Sequence, residues 1–144
     1  MQDVIQQWDN AAAAFSEDQE RSEFADSNKS VIEERFRRLN GERVLDLGCG
    51  YGWYTDFFTR NGADAVGVDG SEKMIAIAQE RYPNLDFTLA NIEKSLPFAD
   101  GCFDIVFSNQ VLMDIENTER VISECARVLK ENGVFYFGIV HPCF

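Results

Sequence analysis

Basic residues are scarce in this chain. Among its 144 residues, 13 lysines and arginines stand against 25 aspartates and glutamates, a formal charge of −12. Nucleic-acid binders need a basic face that displaces counterions from phosphates, so that class of partner is not expected. Arg35, Arg37 and Arg38 do cluster, but on a helix they read as its solvated side. No apolar run approaches the roughly 20 residues of a membrane span. The amino end, Met1-Gln2-Asp3-Val4-Ile5, lacks the basic and apolar regions of a signal peptide. Histidine occurs once, at His141, and the four cysteines (Cys49, Cys102, Cys125 and Cys143) show no Cys-x-x-Cys spacing, which argues against zinc. With no export signal, reduced thiols and a cytoplasmic location are expected. Internal repeats and low-complexity tracts are also missing.

What the chain does have is a core. Its apolar fraction is 45%, with 12 Phe, 4 Tyr and 2 Trp, which excludes an intrinsically disordered chain. A single domain of this length buries about 70% of the surface its unfolded form exposes. Residues 1–28 are polar apart from Trp8, Ala11 to Ala14 and Phe15, and read as a helical arm. Residues 29–144 read as the core. Val31, Ile32, Phe36 and Leu39 repeat at helical spacing, and Asn40-Gly41 suits a left-handed cap at the end of that helix.

From there strands and helices alternate. Val44 to Leu47 is a short apolar run between glycines, hence a strand buried on both faces. Trp53, Phe57 and Phe58 give a helix stopped at Asn61-Gly62, and Ala65 to Val68 a second strand. Ser71 is a plausible N-cap for a helix that buries Met74, Ile75 and Ala78 and ends by Pro83. Phe87 to Leu89 and Phe103 to Phe107 are further strands. A helix opening at Asn117 or Thr118 carries Val121, Ile122, Cys125, Val128 and Leu129 to a stop at Asn132-Gly133, and Val134 to Val140 is the fifth strand. This order predicts an α/β fold: a doubly wound, mostly parallel five-stranded sheet with right-handed crossovers. Ligands of such sheets bind beyond the carboxyl ends of the strands, where the strand order reverses.

The residues after each strand suit that place. Asp46-Leu47-Gly48-Cys49-Gly50-Tyr51-Gly52 lets the backbone turn sharply and approach a ligand without a Cβ in the way. A tight turn alone would also use two glycines. Asp69, twenty-one residues after Gly48, ends the second strand, where an acid can accept both hydroxyls of a ribose. Its plainer role is to cap the next helix together with Ser71. A dinucleotide site wants a third glycine where this chain has Trp53; the glycine falls one residue early, at Gly52. That disfavours a pyrophosphate and favours a nucleoside with an amino-acid tail.

Val44-Leu45-Asp46-Leu47-Gly48-Cys49-Gly50-Tyr51-Gly52 resembles the first motif of the class I S-adenosylmethionine-dependent methyltransferases, in particular their small-molecule branch. Gly67 to Met74 resembles the second motif, Leu96 to Val106 the stretch entering strand four, and Arg127 to Gly133 the turn into strand five. The resemblance covers about residues 29 to 140 and implies a Rossmann-like methyltransferase fold, S-adenosylmethionine as cofactor, S-adenosylhomocysteine as product and a small-molecule methyl acceptor. It implies that Asp46, Gly48, Cys49, Gly50 and Gly52 hold the methionine part, that Asp69 and Gly70 meet the ribose, and that Met74 gives an adenine face. Asn91 and Ile92 match the adenine-edge position, where the family more often has aspartate. Asn109 and Gln110 follow strand four, where the family lines the cofactor and acceptor cavity. His141, at the end of strand five, either orients or deprotonates the acceptor, or lies in a loose tail before Pro142. The arm, with Trp8 and Phe15 on one helical face, is either a lid over the cofactor or simply docked on the core. The family continues past strand five with a helix and an antiparallel strand pair, whereas this sequence stops at Phe144. An apolar fifth strand at the edge invites pairing, so a homodimer through it is expected. Two other functions stay open: a module that binds the cofactor without catalysis, and a nicotinamide-dependent oxidoreductase, against which Trp53 argues.

Overall fold

The computed structural model describes the backbone of residues 2–19 and 23–139, and the side chains of residues 2–14 and 28–139. Helices α1 (Gln2–Gln19) and α2 (Glu23–Arg35) precede the alternating part. That part runs β1 (Arg43–Leu47), α3 (Trp53–Arg60), β2 (Asp64–Asp69), α4 (Glu72–Arg81), β3 (Asp86–Leu89), β4 (Phe103–Asn109), a 3-10 turn (Leu112–Asp114), α5 (Thr118–Val128) and β5 (Leu129–Gly138). All five strands are parallel, in the order β3-β2-β1-β4-β5. The order reverses between β1 and β4, so the fold is the doubly wound sheet expected from the sequence, and its switch point lies where those two strands end.

Period-two alternation sends successive strand residues to opposite faces. Leu45 and Leu47 of β1 join Val121, Cys125 and Val128 of α5 in one core cluster. Val44, one residue before Leu45 and so on the opposite face, joins Ile32 of α2 and Phe57 and Phe58 of α3 in another. An aromatic knot holds that second cluster together. Phe36 meets Phe58 edge-on at 5.4 Å, Phe58 meets Phe107 at 4.8 Å, and Phe107 stacks on Tyr136 at 5.6 Å. Edge and offset ring pairs of this kind add to the area they bury.

Two helix ends differ from expectation. The helix expected to run to Asn40 stops at Arg35, and it begins at Glu23, so residue 28 falls inside α2. Asn40-Gly41 is not its cap. The Leu39 N–H donates to Asn61 O and the Gly41 N–H to Gly62 O, which ties the entry of β1 to the turn after α3. Similarly, α5 ends at Val128 rather than at Asn132-Gly133. Leu129 already pairs with Phe103, while Ile105 pairs with Val134, so a bulge of β5 holds Asn132 at φ +66°. The Asn-Gly pair makes a turn in both readings, but sheet pairing captures the residues before it, so the turn lies within the strand and not after the helix.

Candidate functional site

A cavity opens over the carboxyl ends of β1, β2 and β4 and is roofed by α1. Its floor is the turn after β1. The N–H groups of Gly48 and Cys49 both donate to Val68 O, at 2.8 and 2.9 Å, folding the chain toward β2. Gly48 has φ +75°, and a Cβ there would come within 2.5 Å of a Val111 methyl. Only glycine fits both constraints. At Gly50, by contrast, the nearest atom to an added Cβ is Met74 Sδ at 3.9 Å, so bare backbone faces the cavity.

Two acids are fixed by this loop and the helices beside it. Asp69 accepts from Gly50 N–H through Oδ2 at 2.9 Å and from Ser71 N–H through Oδ1 at 2.8 Å. Both carboxylate oxygens are thereby oriented and each keeps a lone pair for a ligand hydroxyl. Burial pushes its pKa up, against the pull of those amide donors. Asp46 is 2% exposed and accepts from the Thr55 hydroxyl at 2.7 Å. Burial raises its pKa to about 7; the Thr55 bond lowers it, and the nearby Asp69 adds to the rise. The Cys49 thiol is pushed well up by burial and by the two aspartates, so it stays protonated. A buried carboxylate short of a counter-charge is a ready partner for a cationic ligand.

The arm completes the enclosure. Val4, Ile5 and Trp8 line the cavity from α1. Ile5 approaches Gly70 so closely that a Cβ there would sit 3.1 Å from two of its carbons. Asp9 accepts from the Ser71 hydroxyl and from Lys73 N–H (3.2 Å), while Ser71 Oγ accepts from Met74 N–H at 3.2 Å. The amino end of α4 is therefore capped twice, once by its own Ser71 and once by a carboxylate from the arm, which its dipole favours. Ala12, Tyr51 and Met74 pack beneath, flanked by Trp8 and Trp53. On the far side, Asn109 Oδ1 accepts from Asn28 Nδ2 at 2.8 Å, and Gln110 (φ +57°) donates its N–H to Gly138 O at 2.7 Å.

Of the twelve residues implied as cofactor contacts, the cavity brings together Asp46, Gly48, Cys49, Gly50, Asp69, Gly70, Met74, Ile92, Asn109 and Gln110. Gly52 and Asn91 do not line it. Gly52, at φ +89°, caps α3 and lets Phe87 and Ala78 pack closely; a Cβ would meet them at 2.7 and 3.2 Å. Asn91 turns its Oδ1 back to accept from Glu93 N–H at 3.0 Å, a local turn bond. Met74 and Ile92 are also core residues, 2% and 3% exposed. His141 lies outside the described residues, as does the Phe15 side chain. The sequence reading missed Val4, Ile5, Asp9, Lys29, Thr55, Val111 and Asp114. Thr55, nine residues after Asp46, carries no signal until α3 is folded back on β1, and Asp9 none until α1 crosses α4.

The residues present fit S-adenosylmethionine: a bare loop at Gly50, an acid at the end of β2 held by two amides, and one buried aspartate, Asp46, able to face a cationic group. An uncharacterised methyltransferase of Synechocystis is 34% identical over 119 residues, 76% of this chain and 56% of that protein. A ubiquinone biosynthesis O-methyltransferase of Agrobacterium fabrum is 32% identical over 109 residues, 73% of this chain and 43% of that protein. The chain thus spans about half the length of the curated relatives it matches. The crystal structure of an S-adenosylmethionine-dependent methyltransferase from Mesorhizobium loti superimposes with a TM-score of 0.72 at 30% identity, over 78% of this chain and 53% of that one. The family model described as a methyltransferase domain matches residues 45–137. That match begins inside β1 and ends inside β5, so it takes in every strand of the sheet, and the chain belongs to the class I S-adenosylmethionine-dependent methyltransferase family.

Proposed function

We propose that the chain transfers a methyl group from S-adenosylmethionine to a small-molecule acceptor by in-line displacement in this cavity. The observation that carries the reading is Asp69, presented by two backbone amides beside the uncovered Gly50 loop at the switch point of the sheet. Asp69 binds the ribose, the Gly48 to Gly50 backbone and Asp46 hold the amino-acid end, and Met74 and Ile92 flank the adenine. Asn109 and Gln110 border the acceptor.

Bound S-adenosylmethionine supplies a methyl on a positively charged sulfur, already activated for departure. The chain's residues have then to align donor and acceptor and exclude water. The roof of Val4, Ile5 and Trp8 performs the exclusion, and α1 acts as a lid that opens for exchange. A small acceptor is supported by the cavity roofed by α1, by the formal charge of −12, which repels nucleic acid, and by the small-molecule chemistry in the name of the Agrobacterium relative. The lining residues demand no metal. No described helix is long and apolar enough to cross a membrane.

The test is incubation with methyl-labelled S-adenosylmethionine and a panel of phenols, amines and thiols. Labelled product in step with S-adenosylhomocysteine supports transfer. Tight S-adenosylhomocysteine binding with no labelled product across the panel would instead favour a binding module.

A further inference from the structure

Four charged side chains line the cavity among the described residues: Asp46, Asp69, Asp114 and Lys29. Three of them have neighbours that fix their direction. Asp46 is bonded to Thr55, Asp69 to the Gly50 and Ser71 amides, and Lys29 Nζ lies 4.0 Å from the centroid of the Trp53 ring. Asp114 differs. Its carboxylate has no hydrogen bond or ion pair among the described residues, and burial pushes its pKa up with nothing opposing.

The main chain places this acid firmly. Asp114 closes the 3-10 turn Leu112–Asp114, where its N–H donates to Val111 O at 3.0 Å. Before the turn, Gln110 N–H is tied to Gly138 O of β5; after it, Asn117 N–H donates to Glu93 Oε1 at 2.6 Å. Val111 lies against Gly48, so the turn stands over the glycine loop. The other side chains this segment brings to the cavity, Val111, Met113 (48% exposed) and Ile115, are apolar. A carboxylate set among them loses part of its hydration and gains no protein donor in return.

An amine is the acceptor that offsets this. As the free base it attacks with its own lone pair. The N–C bond forms, the S–C bond breaks with its electron pair left on sulfur, and the positive charge passes from the sulfonium to the nitrogen. A carboxylate beside that nitrogen gains attraction as the charge develops. A phenol or thiol attacks best as its anion, which the same carboxylate repels, and a carboxylate is too weak a base to ionise a phenol of pKa about 10. We infer that Asp114 binds the amino group of the acceptor, which makes this cavity the site of methyl transfer to amines with an apolar body. This deepens the functional reading above and rests on it.

The experiment supplies methyl-labelled S-adenosylmethionine with benzylamine, phenethylamine, benzyl alcohol or p-cresol to wild type, Asp114→Asn and Asp114→Glu. Calorimetry with S-adenosylhomocysteine runs alongside, and melting curves show that the variants are folded. Wild type should methylate the amines. Asp114→Asn should lower kcat/KM for them about tenfold or more, Asp114→Glu should restore part of it, and S-adenosylhomocysteine affinity should not change. Label in p-cresol or benzyl alcohol but in neither amine overturns the inference. So does an Asp114→Asn variant with unaltered amine kinetics, or no label in any acceptor. A parallel loss of S-adenosylhomocysteine affinity moves Asp114 to the cofactor and likewise overturns it. If wild type does not bind S-adenosylhomocysteine at all, the cofactor reading itself fails and the assignment of Asp114 falls with it.

Discussion

Asp46 shows how one buried side chain can serve binding at the expense of stability. Its carboxyl reaches a pKa of about 7 because burial disfavours the charge, with Thr55 giving the one side-chain bond that opposes the shift. The unfolded value is 3.8, so the native state holds more protons between those two values. The contribution to stability is complete below about pH 4 and is lost as pH rises through 7. Asp46→Asn, which can still accept from Thr55, should therefore be the more stable protein at about pH 8, by on the order of 1–3 kcal/mol. The gap should shrink toward zero near pH 4, as urea melts at several pH values will show. Binding runs the other way: a cationic ligand prefers the carboxylate, so affinity for S-adenosylmethionine should fall as pH drops below 7 in wild type and fall less in the variant, which keeps only the titration of Asp69. Asp69→Ala removes the acceptor of two amides and the proposed ribose partner, and should weaken S-adenosylhomocysteine by about 10- to 100-fold in calorimetry. Asp46, Gly48, Gly50 and Asp69 were legible as cavity residues because each lies at or just beyond the carboxyl end of a strand. Asn91 was not, because a local turn bond to Glu93 N–H competes for its side chain.

Helices and strands were legible wherever local pattern and tertiary pairing agree. Ser71 before Met74, Ile75 and Ala78 marks α4 from sequence alone, and the structure places the capping bond there. The ends of α2 and α5 were not legible, since Asn40-Gly41 and Asn132-Gly133 carry the same turn signal wherever the sheet lets it fall. The arm was legible as a helix, but not its clasp, which needs Asp9 carried across to α4. Replacing Asp9 by Ala removes one of the two caps on α4, and about 1 kcal/mol of arm docking should go with it. Faster limited proteolysis of residues 1–20 and weaker cofactor binding are the expected readouts, whereas unchanged affinity would reduce α1 to a docked helix. Within the aromatic knot, Phe58→Ala leaves a cavity among Phe36, Phe57 and Phe107 and should cost about 3–5 kcal/mol, measured by chemical denaturation.

At the scale of the whole molecule, the two sheet edges differ. β3 is a short strand, whereas β5 is the longest in the sheet and leaves Val134 and Phe137 exposed, Phe137 at 49%. Unpaired strand edges with apolar side chains associate, so light scattering at rising concentration should show dimers that Phe137→Lys suppresses. A monomer at all concentrations would remove β5 as an interface. The doubly wound parallel sheet was legible in the alternation of elements, while its strand order and the roof over the switch point came only with the folded chain. The account depends most on where the nucleoside lies. A crystal structure with S-adenosylhomocysteine tests that directly: density should show both ribose hydroxyls on Asp69, with the amino-acid tail along the Gly48 to Gly50 backbone beneath Trp8. Density elsewhere on the molecule, or a ribose turned away from Asp69, would contradict it.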